Sequence, residues 1–358
     1  MMRFPAHCNA TAIGSFPYAE VEDALRIIME CTPHIPAWPQ LPFYPEERMV
    51  RQYTEGMPGL RMKEDTVFFD TSLPSFESEL LVFYEDYLKA LEMEELPCEH
   101  PFGLSFSYSR GFHSLCRRLA AGGNKPLATK GQITGPVTLA TTLTDQDGRS
   151  AYYDSRLREV VVKTLAMKAK WQIHQLRQLQ APVIIFIDEP CLAAYGSSAF
   201  LSISADDVKN DLQEIIEQIH TEKALAGIHC CENTDWGLLV KANPDILNFD
   251  AYSFFDRVIL YPQALRGFIN RGKILAWGLI PTANPDHVQR ETAGSLVRRW
   301  EGYVEALERL DLDRKYIISQ SLITPSCGMG SLTPALSTQV MHLLREVSEI
   351  LQRNYDYV

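Results

Sequence analysis

No stretch of this sequence approaches the ~18 consecutive apolar residues of a membrane-spanning helix. The densest apolar run, residues 183–187 beside Pro182, is strand-sized. The opening Met1-Met2-Arg3-Phe4-Pro5 has no long apolar segment, so no secretory signal is expected. Basic residues are outnumbered, 34 Lys and Arg against 45 Asp and Glu, giving a formal charge of −11. That balance disfavours attraction to nucleic acid or to an anionic membrane. Cysteine is too sparse for a disulfide scaffold: eight in 358 residues, at positions 8, 31, 98, 116, 191, 230, 231 and 327. Most of these read as buried small hydrophobes in a reducing compartment. The first strand ends Ile13-Gly14-Ser15-Phe16-Pro17 with no G-x-G-x-x-G, which weakens a dinucleotide-binding reading. There is no internal repeat, no low-complexity tract and no collagen-like glycine period. What remains, 46% hydrophobic and 22% charged, has the composition of a soluble globular chain. A cytoplasmic, enzyme-like protein is the default expectation, and the length allows one or two domains.

Short apolar runs alternate with longer helical patterns. Strands are expected at 10–15, 66–69, 127–133, 182–188, 226–231, 246–250, 274–279 and 316–321. Helices are expected at 21–30, 155–179, 206–220, 295–310 and 337–351. The strongest carries Leu157, Val161, Leu165, Ala169, Ile173 and Leu176 at steps of three and four. Repeated βα units imply a parallel sheet covered on both faces, and eight of them close into a (β/α)8 TIM barrel. An open doubly wound sheet is the rival. The single domain then spans residues 1–358. Residues 31–124, rich in prolines and aromatics, read as a long irregular insertion that covers the barrel mouth or packs elsewhere.

The chemistry concentrates at strand ends. His229 and Cys231 form an H-x-C pair, and residues two apart on an extended segment face the same side. Cys327 follows the last strand. If the barrel closes, all three share its C-terminal mouth, a set that suits Zn²⁺ with an exchangeable fourth position. A lone H-x-C also arises by chance, and a cysteine in a core strand is usually inert; Cys230 is expected to face the packing. Asp188 and Glu189 end the most apolar strand at the same mouth, where a carboxylate can hold an amino group or a cation, act as acid or base, or cap a helix. Asp250 ends the strand after the His-Cys pair. It is a candidate fourth ligand, or the acid that orients His229.

Five segments in order resemble cobalamin-independent methionine synthase, in its C-terminal catalytic barrel, and the zinc methyltransferases of the uroporphyrinogen-decarboxylase (URO-D) superfamily. They are Ala12-Ile13-Gly14-Ser15-Phe16-Pro17, Lys130-Gly131-Gln132-Ile133-Thr134-Gly135-Pro136-Val137, Phe186-Ile187-Asp188-Glu189-Pro190, the pair His229 and Cys231, and Pro325-Ser326-Cys327-Gly328. The match covers about residues 10–330 and is poor over 31–124. The resemblance implies zinc on His229, Cys231 and Cys327, with Asp250 where the family has a Glu. It implies that Ile13, Gly14 and Ser15 hold the carboxylate of a homocysteine-like substrate and that Asp188, beside Glu189, holds its amino group. The family's other substrate-binding Glu has no counterpart located here. The implied activity belongs to methionine biosynthesis: transfer of a methyl group to a small thiol.

Full-length members of that family carry a further N-terminal barrel that this sequence does not contain. Either a methyl-corrinoid such as methylcobalamin or methyltetrahydrofolate is therefore implied as donor. No corrinoid-binding D-x-H-x-x-G occurs, so a corrinoid would come free or on a partner corrinoid protein. Two alternatives stand beside this reading. One is a metal-free URO-D-like decarboxylase, for which the P-W-x-M-R-Q segment is missing. The other is a non-catalytic barrel that binds a corrinoid or a partner.

Overall fold

The computed structural model describes residues 4–122, 125–197, 200 and 202–357. Its centre is a curled parallel sheet of seven strands flanked by helices. The strands are β1 (Asn9–Ala10), β4 (Thr129–Thr134), β5 (Val183–Asp188), β6 (Leu225–Cys230), β7 (Ile246–Phe249), β8 (Ile274–Ile280) and β9 (Ser321–Pro325). The remaining two, β2 (Leu60–Lys63) and β3 (Thr66–Phe69), form a separate antiparallel hairpin. The large sheet runs β1-β9-β8-β7-β6-β5-β4, so β1 and β4 are its edges.

Those edges are not hydrogen-bonded to each other, but one segment touches both. Residues 34–40 run between them. Trp38 N–H donates to Lys130 O at 3.3 Å, and Lys130 N–H donates to Pro36 O at 3.0 Å. On the other side Gln40 N–H donates to Gly14 O and Phe16 N–H to Gln40 O, both at 2.9 Å. Pro36 and Pro39 have no N–H to give, so the pairing consists of isolated bridges rather than a ladder.

Side chains alternate across the sheet in the manner of a strand buried on both faces. Val183, Ile185 and Ile187 enter the large core between sheet and helices. Ile184 and Phe186 enter a smaller core inside the curl, with Ile13, Ile35, Ala128, Ile246, Ile274, Ala276 and Leu322. This parity assigns the strand-end residues. Asp188, two beyond Phe186, faces inward. His229 faces inward because Ile228 and Cys230 belong to the outer core, and Asn248 because Leu247 and Phe249 do. The register places Asp188 beside His229, and His229 beside Asn248, in one layer of the curl.

Three sequence expectations change, the first being the strand read at 10–15, which shrinks to the two-residue β1 with an isolated bridge at Ser15. Residues 66–69 form a strand, but in the hairpin rather than the main sheet. Residues 316–321 are mostly helical: Arg314–Ser319 is a helix whose N-terminus is capped by Asp313, and β9 begins at Ser321. The β-branched Ile317 and Ile318 suggest a strand locally, and the cap overrides them.

The 31–124 stretch is more regular than its composition suggests. It holds the hairpin and the helices Phe76–Glu92 and Arg110–Ala121; residues 123 and 124, at its end, lie outside the described residues. Its first part, around residues 40–49, reaches the strand ends. Its second part covers the helix Ser155–Arg177, which explains why that helix buries polar as well as apolar positions. Lys168 Nζ donates to Gly103 O at 3.0 Å, and Lys170 Nζ to Ala90 O at 2.9 Å. Trp171 Nε1 donates to Pro97 O at 3.0 Å, and Leu96 N–H to His174 Nδ1 at 2.7 Å. Replacing Leu165, fully buried in this helix, with alanine is expected to cost about 2–5 kcal/mol, read as a shift in the urea midpoint. Among the described residues no helix is long and apolar enough to cross a membrane.

Candidate metal centre

The C-terminal ends of the strands surround a cavity of about 470 Å³. Its wall includes Ile13, Ser15, Asp188, His229, Cys231 and Cys327, together with Gln40, Glu47, Arg48 and Met49 from the proline-rich segment. One ring nitrogen of His229, Sγ of Cys231 and Sγ of Cys327 all lie within 4.8 Å of one another. A tetrahedral zinc with bonds of ~2.0–2.3 Å holds such donors ~3.5–3.8 Å apart, so a small inward movement completes the set.

The imidazole is oriented for this. His229 Nδ1 is hydrogen-bonded to Oδ1 of Asn248. The Asn248 amide is fixed in turn, because its Nδ2 donates to Ala276 O and to Thr324 Oγ1, both at 2.9 Å. Its oxygen is therefore left to accept, Nδ1 of the neutral ring carries the proton, and Nε2 keeps its lone pair. Nε2 is buried and, among the described residues, has no hydrogen-bond partner. A buried nitrogen left bare in this way beside two thiols fits a metal ligand.

The two cysteines have opposite acid strengths. The Cys327 thiol donates toward Cys231 and, with His229, holds Cys231 well below an ordinary thiol. The hydrogen bond to the Cys231 sulfur and burial push Cys327 up. Burial opposes protonation of His229, but the Cys231 sulfur and the Asp188 carboxylate outweigh it and the imidazole is raised. A divalent cation bound here would displace the proton held between the two sulfurs. Cys230 faces the outer core, and burial raises its thiol to about 12.

Asp250 does not join the three donors in this structure. Its carboxylate caps the helix Ala251–Val258, accepting from Ser253 N–H at 2.8 Å, and it stands outside the three-donor cluster. The group orienting His229 is Asn248 instead. Glu189 is likewise held by a helix start. It does not line the cavity; it accepts from Val137 N–H at 2.8 Å, Thr138 N–H at 2.9 Å and Thr138 Oγ1 at 2.6 Å, closing the start of the helix Pro136–Thr142. A post-strand acid satisfies exposed helix N–H groups readily, and both residues follow that course.

Burial raises Glu189 from 4.5 to about 7 despite its three donors. A raised carboxyl contributes stability below pH 4.5 that is lost as the pH climbs through 7. The unfolding free energy of the native chain is therefore expected to fall by on the order of 3 kcal/mol relative to Glu189→Gln between pH 4.5 and pH 8. Denaturant titrations at the two pH values measure it; a constant difference between the proteins would contradict the assignment.

Asp188 lines the cavity, 6% exposed, and its Oδ1 is buried without a hydrogen-bond partner among the described residues. Burial raises its carboxyl, while His229 and Lys130 oppose the rise. Lys130 is fully buried inside the curl, donating to Ile13 O at 2.5 Å; burial lowers its ammonium to about 8. Ser15 is tied to the loop that carries Cys327. Its carbonyl accepts from Met329 N–H at 2.8 Å and its hydroxyl from Gly330 N–H at 3.3 Å. A Cβ on Gly328 would come within 2.1 Å of Ser15 Oγ, so any larger residue beside Cys327 would force the Ser15 hydroxyl to move. Ile13 lines the cavity; Gly14 packs against Gln40 and Gln132 behind it.

Sequence reasoning missed Asn248, Lys130 and the wall supplied by Gln40, Glu47, Arg48 and Met49. The signal for Asn248 was a polar residue at an inward position of an otherwise apolar strand; Lys130 lies in the mostly polar Thr129–Thr134 and gave no such signal. No protein-family model matches this chain, and no curated protein is significantly similar to it.

Proposed function

We propose that this protein is a zinc-dependent methyltransferase that moves a methyl group from a methyl-corrinoid or methyltetrahydrofolate to a small thiol such as homocysteine. The observation that carries the reading is the convergence of His229, Cys231 and Cys327 at one cavity, with the Nε2 lone pair of His229 left bare. The fold supports it as well: we read residues 34–40, bonded to both sheet edges, as the eighth stave of a (β/α)8 barrel of the methionine synthase type. Zinc in that site supplies Lewis acidity, which ionises a thiol that has a free pKa of ~8.5.

The protein's own groups do the remaining work. Asn248 fixes the His229 tautomer. Asp188 offers its unpaired oxygen to a cationic group of the substrate, and buried Lys130 favours its ionised form. Ser15, anchored to the Cys327 loop, fixes the wall that faces the substrate. The cavity walls exclude water and keep thiol and donor at reacting distance. Asp188→Asn is then expected to raise KM for an amino-bearing thiol about 10- to 100-fold and to leave KM for the same thiol without its amine unchanged.

The test is methyl transfer by the purified protein from methylcobalamin and from methyltetrahydrofolate, each to homocysteine and to simpler thiols. Thioether formation with one donor, lost on chelation and restored by zinc, supports the reading. Inactivity with every pair in a zinc-loaded protein would overturn it.

A further inference from the structure

A second set of soft and borderline donors lies away from the cavity just described. Glu30 and Cys31 end the helix Val21–Cys31, and His342 sits on the helix Pro334–Asn354. A carboxylate oxygen, the thiol sulfur and a ring nitrogen from these three lie within 4.8 Å of one another. Glu30 and Cys31 border a small cavity of about 90 Å³ against β1, lined also by His34, Arg345 and Glu349. None of its residues touches the methyl-transfer site.

We propose that Glu30, Cys31 and His342 form a second divalent-metal site, for Zn²⁺ or a similar borderline ion, that ties the first helix to the last. Four features point this way. The donors are of the three types that zinc takes, and their spacing needs only a slight contraction to fit tetrahedral bonds. Two of them stand at the C-terminal end of a helix, where the backbone dipole favours a cation. The charges close: Zn²⁺ against one thiolate and one carboxylate is neutral, so binding leaves nothing uncompensated. Water completes the fourth position.

The present hydrogen bonds show what the ion would replace. Glu30 lies 3.3 Å from His342 Nε2 and accepts a hydrogen bond from Arg345 Nη1 at 3.1 Å. Arg345 also lies 3.9 Å from Glu349, and it can keep that partner when Glu30 turns to the metal. Cys31 is 2% exposed, and burial keeps its sulfur protonated. On binding, the S–H bond breaks, the sulfur pair goes to the ion and the proton goes to solvent, so occupancy rises with pH. The bound ion would cross-link segments near opposite ends of the chain, stabilising the folded form by mass action.

The experiment is cobalt(II) titration and thermal unfolding of the full chain. Native protein is expected to take up two equivalents. Cys231→Ala/Cys327→Ala should keep one, with a thiolate-to-cobalt absorption band and a Tm that rises by several degrees with added zinc. Adding Cys31→Ser, or separately His342→Gln on the half-exposed helix face, should remove the band and the zinc-dependent shift. A double variant with no thiolate band and an unmoved Tm, or a band that survives both added changes, would overturn the proposal. Failure of the methyl-transfer reading looks different: native protein then binds one ion, lost with Cys31→Ser and indifferent to Cys327→Ala.

Discussion

Replacing Cys327 with alanine is expected to abolish zinc binding by the His229, Cys231 and Cys327 cluster and, on the function proposed above, to lower thiol methylation on the order of 10³-fold. The figure has two parts. A free thiol of pKa ~8.5 is only about 3% thiolate at pH 7, which accounts for roughly 30-fold. Losing the anchor that holds the sulfur against the donor accounts for at least a further ~30-fold. Cys327 stands beyond the end of β9, half-buried, and its nearest structural partner is the Cys231 sulfur, so the folded state should tolerate the change. Metal analysis after one-equivalent loading, circular dichroism and the methyl-transfer rate check the three statements. Full activity with normal zinc in Cys327→Ala would remove that residue from the site.

Asn248→Leu is the second large effect. The substitution keeps size but removes the oxygen that accepts from His229 Nδ1 and the amide that donates to Ala276 O and Thr324 Oγ1. The imidazole can then rotate or take the wrong tautomer, and metal affinity should fall about 10- to 100-fold. Removing the inward amide also takes a buried hydrogen bond from Ala276 O and another from Thr324 Oγ1, for a stability loss of about 1–3 kcal/mol. The measurement is competition for zinc against a chelator of known affinity. Unchanged affinity would mean that the ring is held by packing alone.

The same substitutions show how much of this molecule could be read beforehand. Five expected strands, from 127–133 to 274–279, lie in the sheet close to their assigned bounds; the clearest, 182–188, is a compact β-branched run, and the others are short segments between longer helical patterns. The inward placement of His229 follows from simple alternation along β6. The bridging segment at 34–40 was hidden because its prolines interrupt the donor pattern by which a strand is recognised, and its partners are distant in sequence. Asp250 and Glu189 share their position after a strand with Asp188, and nothing local distinguishes a cap from a cavity wall. The difference lies in which helix N-terminus comes near: Pro136–Thr142 for Glu189, and the residue's own following helix for Asp250. Asn248 was visible as a polar residue inside Ile246-Leu247-Asn248-Phe249, yet its role depends on the register that puts it beside His229.

Zinc K-edge absorption of the native protein loaded with a single equivalent tests the central claim most directly. The account predicts two sulfur neighbours at ~2.3 Å and one imidazole nitrogen at ~2.0 Å, with the remaining position changing to sulfur when a thiol is added. A shell of oxygen and nitrogen alone, or one insensitive to added thiol, would contradict it.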